Sequence, residues 1–116
     1  NGDGETSRDF CFVANAVQVN LLAATTEEAS AENQVYNVAL GDQMSLNELA
    51  SAIESELRAI QSIPKVRKVY RDFRPGDVRH SRADVSKAKR LLGFEPTHTC
   101  REGLSDIMPY YVRQFS

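Results

Sequence analysis

Between Ser45 and Pro64 the chain leaves itself the least freedom. Ser45 and Glu48 stand at capping-box spacing, in which the serine hydroxyl and the glutamate carboxylate each satisfy an orphan backbone N–H at a helix start. Behind them Leu46, Leu49, Ile53, Leu57 and Ile60 recur at helical spacing and form one apolar stripe. Pro64 closes the pattern, because proline cannot continue a helix. A helix of this kind has to lay its stripe on something, and the rest of the chain supplies the candidates.

Arg8 to Val13 is rich in aromatic and β-type residues and predicts a short strand. Asn15 is placed to cap a helix over residues 16–26, with Val17, Leu21 and Ala24 on one face. Thr25 to Asn33 reads as a surface loop, and Gln34 to Leu40 as a buried strand ending at Gly41. Lys65 to Phe73 alternates Val66, Val69 and Tyr70 with Lys65, Arg67, Lys68 and Arg71, which predicts a strand with one wet, basic face. After a loop over residues 74–82, Asp84 is placed to cap a short helix holding Val85, Ala88, Leu91 and Leu92. Gly93 takes the left-handed position at its end. Thr99 and Glu102 repeat the capping box before a last helix, with Leu104, Ile107, Met108, Tyr111 and Phe115 inward and a kink at Pro109. The order is strand, helix, strand, helix, strand, helix, helix: a mixed α/β chain with no internal repeat.

A chain of 116 residues supports a single domain with a modest core. Its formal net charge of -2 gives no general pull toward nucleic acid or an anionic membrane. No apolar run approaches the roughly 18 residues of a membrane span. Cys11 and Cys100 lie far apart and outside any CxxC pattern, so they read as reduced thiols of a cytoplasmic protein rather than as metal ligands or a disulfide. Asn1 stands where an initiating methionine is expected and the chain opens directly on a turn, which reads as a fragment, processed piece or trimmed chain.

Two arginines sit beside glycine-bearing turns. Arg8 follows Gly2-Asp3-Gly4-Glu5-Thr6-Ser7, and Arg74 opens Arg74-Pro75-Gly76-Asp77. A guanidinium offers a planar fork of donors that suits a diphosphate, and glycine lets a ligand approach the backbone. In the second turn a carboxylate beside the arginine can accept bonds from ribose hydroxyls. Taken locally, each also reads as plain surface chemistry: Arg8 paired with Asp3, Glu5 or Asp9, and Arg74 with Asp77 across a turn. His80 and His98 have no sequence neighbour arranged as a nucleophile or metal partner, and Ser7, Ser81 and Ser86 lack the G-x-S-x-G setting of a hydrolase. Cys11, inside Phe-Cys-Phe, reads as core.

The segment Gly2 to Phe10 resembles the extended short-chain dehydrogenase/reductase family, and within it the UDP-N-acetylglucosamine 4-epimerases. The likeness continues through residues 20–24, 35–39, 45–49, 74–81, 83–88 and 108–113, in order and nearly end to end. It implies a small C-terminal substrate-binding lobe over residues 1–116. The implied parent is an NAD-dependent UDP-sugar 4-epimerase, with a UDP-GlcNAc/UDP-GalNAc or UDP-Glc/UDP-Gal substrate. A related nucleotide-sugar dehydratase or decarboxylase shares the same anchor, and a non-catalytic binding or structural module is the alternative from another class. By the same resemblance Arg8 contacts the nucleotide diphosphate, Phe10 packs near the nucleotide, and Arg74 and Asp77 contact phosphate and ribose.

The departures from that family are specific. Gly2 and Gly4 make a G-x-G, but no third glycine or preceding strand completes the NAD-binding fingerprint. The family's tyrosine with a lysine four residues on is absent as well, since Tyr36, Tyr70, Tyr110 and Tyr111 are followed at that distance by Leu40, Arg74, Gln114 and Phe115. The expectation is therefore a chain with no catalytic residue of its own. It anchors the UDP moiety, is inactive alone, self-associates through an exposed apolar face, and has a missing N-terminal Rossmann domain as its partner.

Overall fold

The computed structural model describes residues 1–115. Two helical pairs flank a very small sheet. Strand β1 (Ser7–Arg8) and strand β2 (Met44–Ser45) run antiparallel, with Ser7 opposite Ser45 and Arg8 opposite Met44. Helix α1 (Val13–Thr25) follows β1, and helix α2 (Leu46–Ile60) follows β2 directly. Helix α3 (Ser86–Leu92) and helix α4 (Cys100–Phe115) complete the chain. Helix α1 packs on α3 and α2 on α4.

The capping boxes form as their spacing requires. The Ser45 hydroxyl accepts the Glu48 N–H while the Glu48 carboxylate accepts the Ser45 N–H, and Thr99 and Glu102 do the same at the start of α4. Gly93 ends α3 in the left-handed region, at φ 67°. Asp84 acts just ahead of α3 by accepting the Ser86 N–H. Pro109 lies inside α4, where it removes one backbone donor.

The core sits between α1 and α3. Val19, Ala31, Ala88, Leu92 and Phe94 are buried together, with Leu22, Tyr36, Val38 and Leu91 packed against them. The loop over residues 25–33 thus contributes to the core through a 3-10 turn, Ala29–Ala31. The α2–α4 contact is less closed: Ala52 and Met108 are buried, but Tyr111 and Phe115 are exposed rather than inward.

Three expected elements come out differently. The ladder at residues 8–13 stops after Arg8, because the chain turns into α1 at Val13. Asn15 is not the cap of α1 but lies inside it, fully buried. Its side chain accepts the Thr97 and His98 N–H groups and donates to the His98 carbonyl, so α1 buries the face of Asn15 and Val19 and leaves Val13, Val17 and Leu21 outward. The polar residue faces inward because it bridges to a distant loop, a contact that local spacing does not encode. Residues 65–73 form no strand. They touch the rest through a bridge in which the Gly2 N–H donates to the Arg71 carbonyl, and Val69, Tyr70 and Phe73 are exposed. Residues 34–40 are extended yet pair with no other strand among the described residues, and Ala39 is buried while Val35 is open. The molecule is elongated, with a radius of gyration of 17.1 Å against about 13 Å for a compact chain of this length.

Candidate functional site

Arg8 is carried on β1 and Asp77 on the turn that follows Arg74. They lie 69 residues apart in sequence, and the Arg8 guanidinium donates to the Asp77 carboxylate. What brings them together is a second pairing of β1: the Ser7 N–H donates to the Arg79 carbonyl, and the Ser81 N–H donates to the Ser7 carbonyl. Beta1 is thus clasped between β2 and residues 79–81. Arg8 also donates to the Ser7 carbonyl, which folds its fork back over the strand.

The turn itself is type II. The Asp77 N–H donates to the Arg74 carbonyl, Pro75 takes the first central position, and Gly76 takes the second at φ 76°, where a side chain would be strained. Asp77 therefore reaches across to Arg8 and not back to Arg74, so the local i,i+3 ion pair does not form. Arg74 is exposed and its side chain has no polar partner among the described residues.

Asp9 is the residue that sequence reasoning missed. Its carboxylate accepts the backbone N–H groups of Leu40, Gly41, Asp42 and Ala83. Four donors from two loops converge on one side chain, which fixes the Arg8 strand against both the turn before α2 and the segment leaving the Arg74–Asp77 turn. No local signal points to it, because every partner lies more than 30 residues away.

The structure also gives His80 the partner that local sequence withheld. Its Nδ1 lies 2.8 Å from the hydroxyl of Ser7, a buried side chain. His98 is held by the Thr97 hydroxyl and the Asp106 carboxylate, and its ring leans on Phe12. Both histidines serve as joints. Burial pushes the Cys11 thiol up, helped by the Asp9 carboxylate, and burial likewise raises Cys100 against the opposing charge of Arg101; neither is set up as a thiolate nucleophile.

Phe10 lines a cleft of about 230 Å³ together with Arg8, Asp9, Leu40, Met44 and Arg101. Arg8 and Phe10 therefore meet at one opening, while Arg74 is not among its lining residues. The glycine turn upstream is not the open cradle expected of it. The space a side chain would take at Gly2 is filled by the Phe73 ring, and at Gly4 by the Asn47 side chain. These glycines let the chain pack on itself. No third glycine opens a helix behind them, so the residues described do not fit NAD. Among the described residues there is no cluster of three metal-ligating side chains, and no helix is long and apolar enough to cross a membrane.

At the edge of this site Arg79 makes a two-pronged pair with Asp3, both contacts at 2.7 Å, and holds the Asp3 carboxyl down at about 2. The pair ties the first turn of the chain to the strand that follows Asp77.

Comparison with known proteins agrees with this geometry. Residues 1–107 match the model of the family described as GDP-mannose 4,6 dehydratase. A putative UDP-glucose 4-epimerase of Methanocaldococcus jannaschii is 30% identical over 111 residues, covering 92% of this chain and 32% of that protein. Among solved structures, UDP-N-acetylglucosamine 4-epimerase from Methanobrevibacter ruminantium, in complex with UDP-N-acetylmuramic acid, superposes with a TM-score of 0.82 at 35% identity. That match covers 98% of this chain and 34% of the other. UDP-glucuronic acid 4-epimerase from Bacillus cereus, in complex with UDP-glucuronic acid and NAD, gives a TM-score of 0.84 at 25% identity, with 98% and 34% covered. The chain spans about a third of the length of these proteins and matches their C-terminal portion.

Proposed function

The chain belongs to the GDP-mannose 4,6 dehydratase family of extended short-chain dehydrogenases/reductases, and from that premise we propose that it is the nucleotide-anchoring lobe of an NAD-dependent UDP-sugar 4-epimerase. The observation that carries the reading is the meeting of Arg8 with Asp77. An arginine fork and a carboxylate held side by side match the two halves of a nucleoside diphosphate, anionic phosphates and neutral ribose hydroxyls.

In the ligand-free arrangement the two side chains satisfy each other. A diphosphate entering the site takes over the Arg8 fork, and Asp77 is released to accept from the ribose hydroxyls. Arg74, exposed and without a side-chain partner among the described residues, turns in as the second phosphate donor. Phe10 flanks the nucleotide from the cleft it lines. The pairing of Arg8 with Asp77 keeps both groups near their working positions, so little reordering accompanies binding.

Hydride chemistry, which NAD supplies in such enzymes, has no seat among these residues, and the lobe alone anchors without turning substrate over. The relatives' names favour a UDP-hexose epimerase over a dehydratase or decarboxylase.

Titration of the isotope-labelled chain with UDP-N-acetylglucosamine, UDP and UMP, followed by amide shifts, tests the reading. Saturable shifts confined to residues 7–10 and 74–81, stronger with UDP than with UMP, are expected. Shifts that are absent or spread evenly over the chain would mark an inert folding module instead. Formation of the C4 epimer by the purified chain alone would overturn the claim of inactivity.

A further inference from the structure

Residues 34–40 have every property of a β-strand except a neighbour. They are extended, and their side chains alternate: Tyr36 and Val38 pack on the core between α1 and α3, while Val35 and Asn37 face out. Val35 is 85% exposed. Tyr36 is pinned at its tip, its hydroxyl donating to the Ala31 carbonyl.

The main chain is nevertheless almost unpaired. From residue 34 to residue 39 one backbone group is engaged among the described residues, the Val35 carbonyl, which accepts from the Lys87 ammonium. The first backbone N–H with a partner is that of Leu40, held by Asp9. A strand seated on a core by one face, with both edges carrying free N–H and C=O groups, is a template for strand addition. Unpaired backbone beside a core is costly, and an extended segment rich in β-branched and aromatic residues relieves that cost by joining a sheet.

We infer that residues 34–40 are a strand of a sheet whose other strands lie in an adjoining lobe, and that this backbone pairing is the seam between the two. The inference rests on the reading of this chain as one lobe of a larger enzyme. What commits it to that occupant is the extent of the relatives: each solved structure matched over nearly all of this chain has about two-thirds of its own length outside the match. Within the present chain the only ladder is the two-residue pair β1–β2, which is far too small to be that sheet. The seam also bears on the site, because the strand runs directly into Leu40 and Gly41, two of the groups gathered by Asp9 beside Arg8.

Amide hydrogen exchange tests it on the 116-residue chain and on a hybrid. In the hybrid this chain replaces the matched third of the Methanobrevibacter ruminantium epimerase, with the corresponding Bacillus cereus hybrid as the second variant. The amides of residues 35–39 are expected to exchange almost freely in the dilute chain and to slow by about 100-fold or more in a hybrid, with α2 as the folded control. Protection already present in the dilute monomer overturns the inference. Protection that appears only as the chain dimerises overturns it in favour of a second copy, and a folded hybrid with these amides still open overturns it too. Failure of both hybrids to fold counts against it, since this pairing is the contact proposed to join the parts. The readout is independent of ligand: protected amides without UDP-sugar binding sink the anchoring function and leave the seam, and binding without protection does the reverse.

Discussion

Asp9 Oδ2 lies 2.9 Å from the backbone nitrogen of Gly41, joining the strand that bears Arg8 to the turn before α2. The same carboxylate takes the N–H groups of Leu40, Asp42 and Ala83, so two loops distant in sequence hang from one side chain. An ionised carboxylate has about four acceptor sites, whereas an amide would turn its own N–H groups toward these donors. Asp9→Asn is therefore expected to lower stability by about 1–3 kcal/mol. The check is a lower urea midpoint with unchanged slope, and an unmoved midpoint would remove Asp9 from its place as organiser of the site.

How legible this arrangement was in the sequence depends on the range of each contact. Ser45 with Glu48, Thr99 with Glu102 and Gly93 at a helix end are local devices whose partners lie within a turn, so spacing alone places them. Asn15 looked equally local and was not, because Thr97 and His98 take up its side chain from across the fold. The same limit hid Asp9 and the pairing of Ser7 with His80. Residues 34–40 expose a different limit. Their β character is written in the sequence, but a ladder needs a partner strand, and none is present among the described residues. Arg8 and Asp77 were singled out by family resemblance, and their contact with each other emerged only from the folded chain.

The Arg8–Asp77 pair is half-exposed, with side-chain exposures of 30% and 39%. Its coupling in a double-mutant cycle of stability is expected to stay below about 1 kcal/mol, as for other solvent-facing ion pairs. Binding should respond more strongly, because a lysine in place of the planar fork keeps the charge and loses the two-pronged geometry. Arg8→Lys is expected to weaken UDP binding by roughly tenfold, the scale of one lost hydrogen bond to a charged group. Calorimetric titration of UDP into the single variants measures this directly. Equal affinity in Arg8→Lys and the parent chain would exclude a bidentate role.

The Asp3–Arg79 pair gives the fold an acid-sensitive joint. The Arg79 guanidinium, aided by the Glu5 N–H, lowers the folded Asp3 carboxyl from 3.8 to about 2. A depressed folded pKa stabilises above the unfolded value and loses that stabilisation as pH falls through the folded one. The contribution of the pair should therefore be full above pH 4 and fade between about pH 4 and pH 2. Thermal melts of the parent chain and Asp3→Asn are expected to differ at pH 6 and to converge near pH 2. A gap that stays constant over that window would show that the ionised carboxylate is not what matters.

Gly4 and Gly76 share left-handed backbone, at φ 80° and 76°, but differ in their surroundings. Beside Gly76 there is open space, whereas the position of a Gly4 side chain is held by Asn47, which also bonds the Asp3 carbonyl, the Glu5 carboxylate and the Tyr70 hydroxyl. Alanine at Gly76 meets only the strain of that backbone region, about 1–2 kcal/mol. Alanine at Gly4 meets the same strain and must displace Asn47, adding about 1–3 kcal/mol of overpacking. Denaturant midpoints should rank the parent chain above Gly76→Ala and Gly76→Ala above Gly4→Ala. The opposite order of the two variants would mean that Asn47 yields freely.

Helix α1 is apolar on two opposite faces, and only one is covered. Val19 meets the core, while Val13, Val17 and Leu21, at successive four-residue steps, stand 64%, 53% and 62% exposed. An apolar row of this length on an elongated lobe seeks cover, and in a concentrated solution of the chain alone the available cover is another copy. Self-association is therefore expected to rise with concentration. Replacing Val17 and Leu21 by lysine should suppress it in sedimentation velocity while moving stability by no more than about 0.5 kcal/mol per site, as for other exposed positions. The two readouts separate the possibilities. If the double variant remains as associated as the parent, the contact lies elsewhere, and the open groove between α2 and α4, lined by Ile53, Leu57, Ile107 and Phe115, is the next surface to charge. If it loses stability instead, the outward face of α1 is packed in solution and the elongated shape is not the one the free chain keeps.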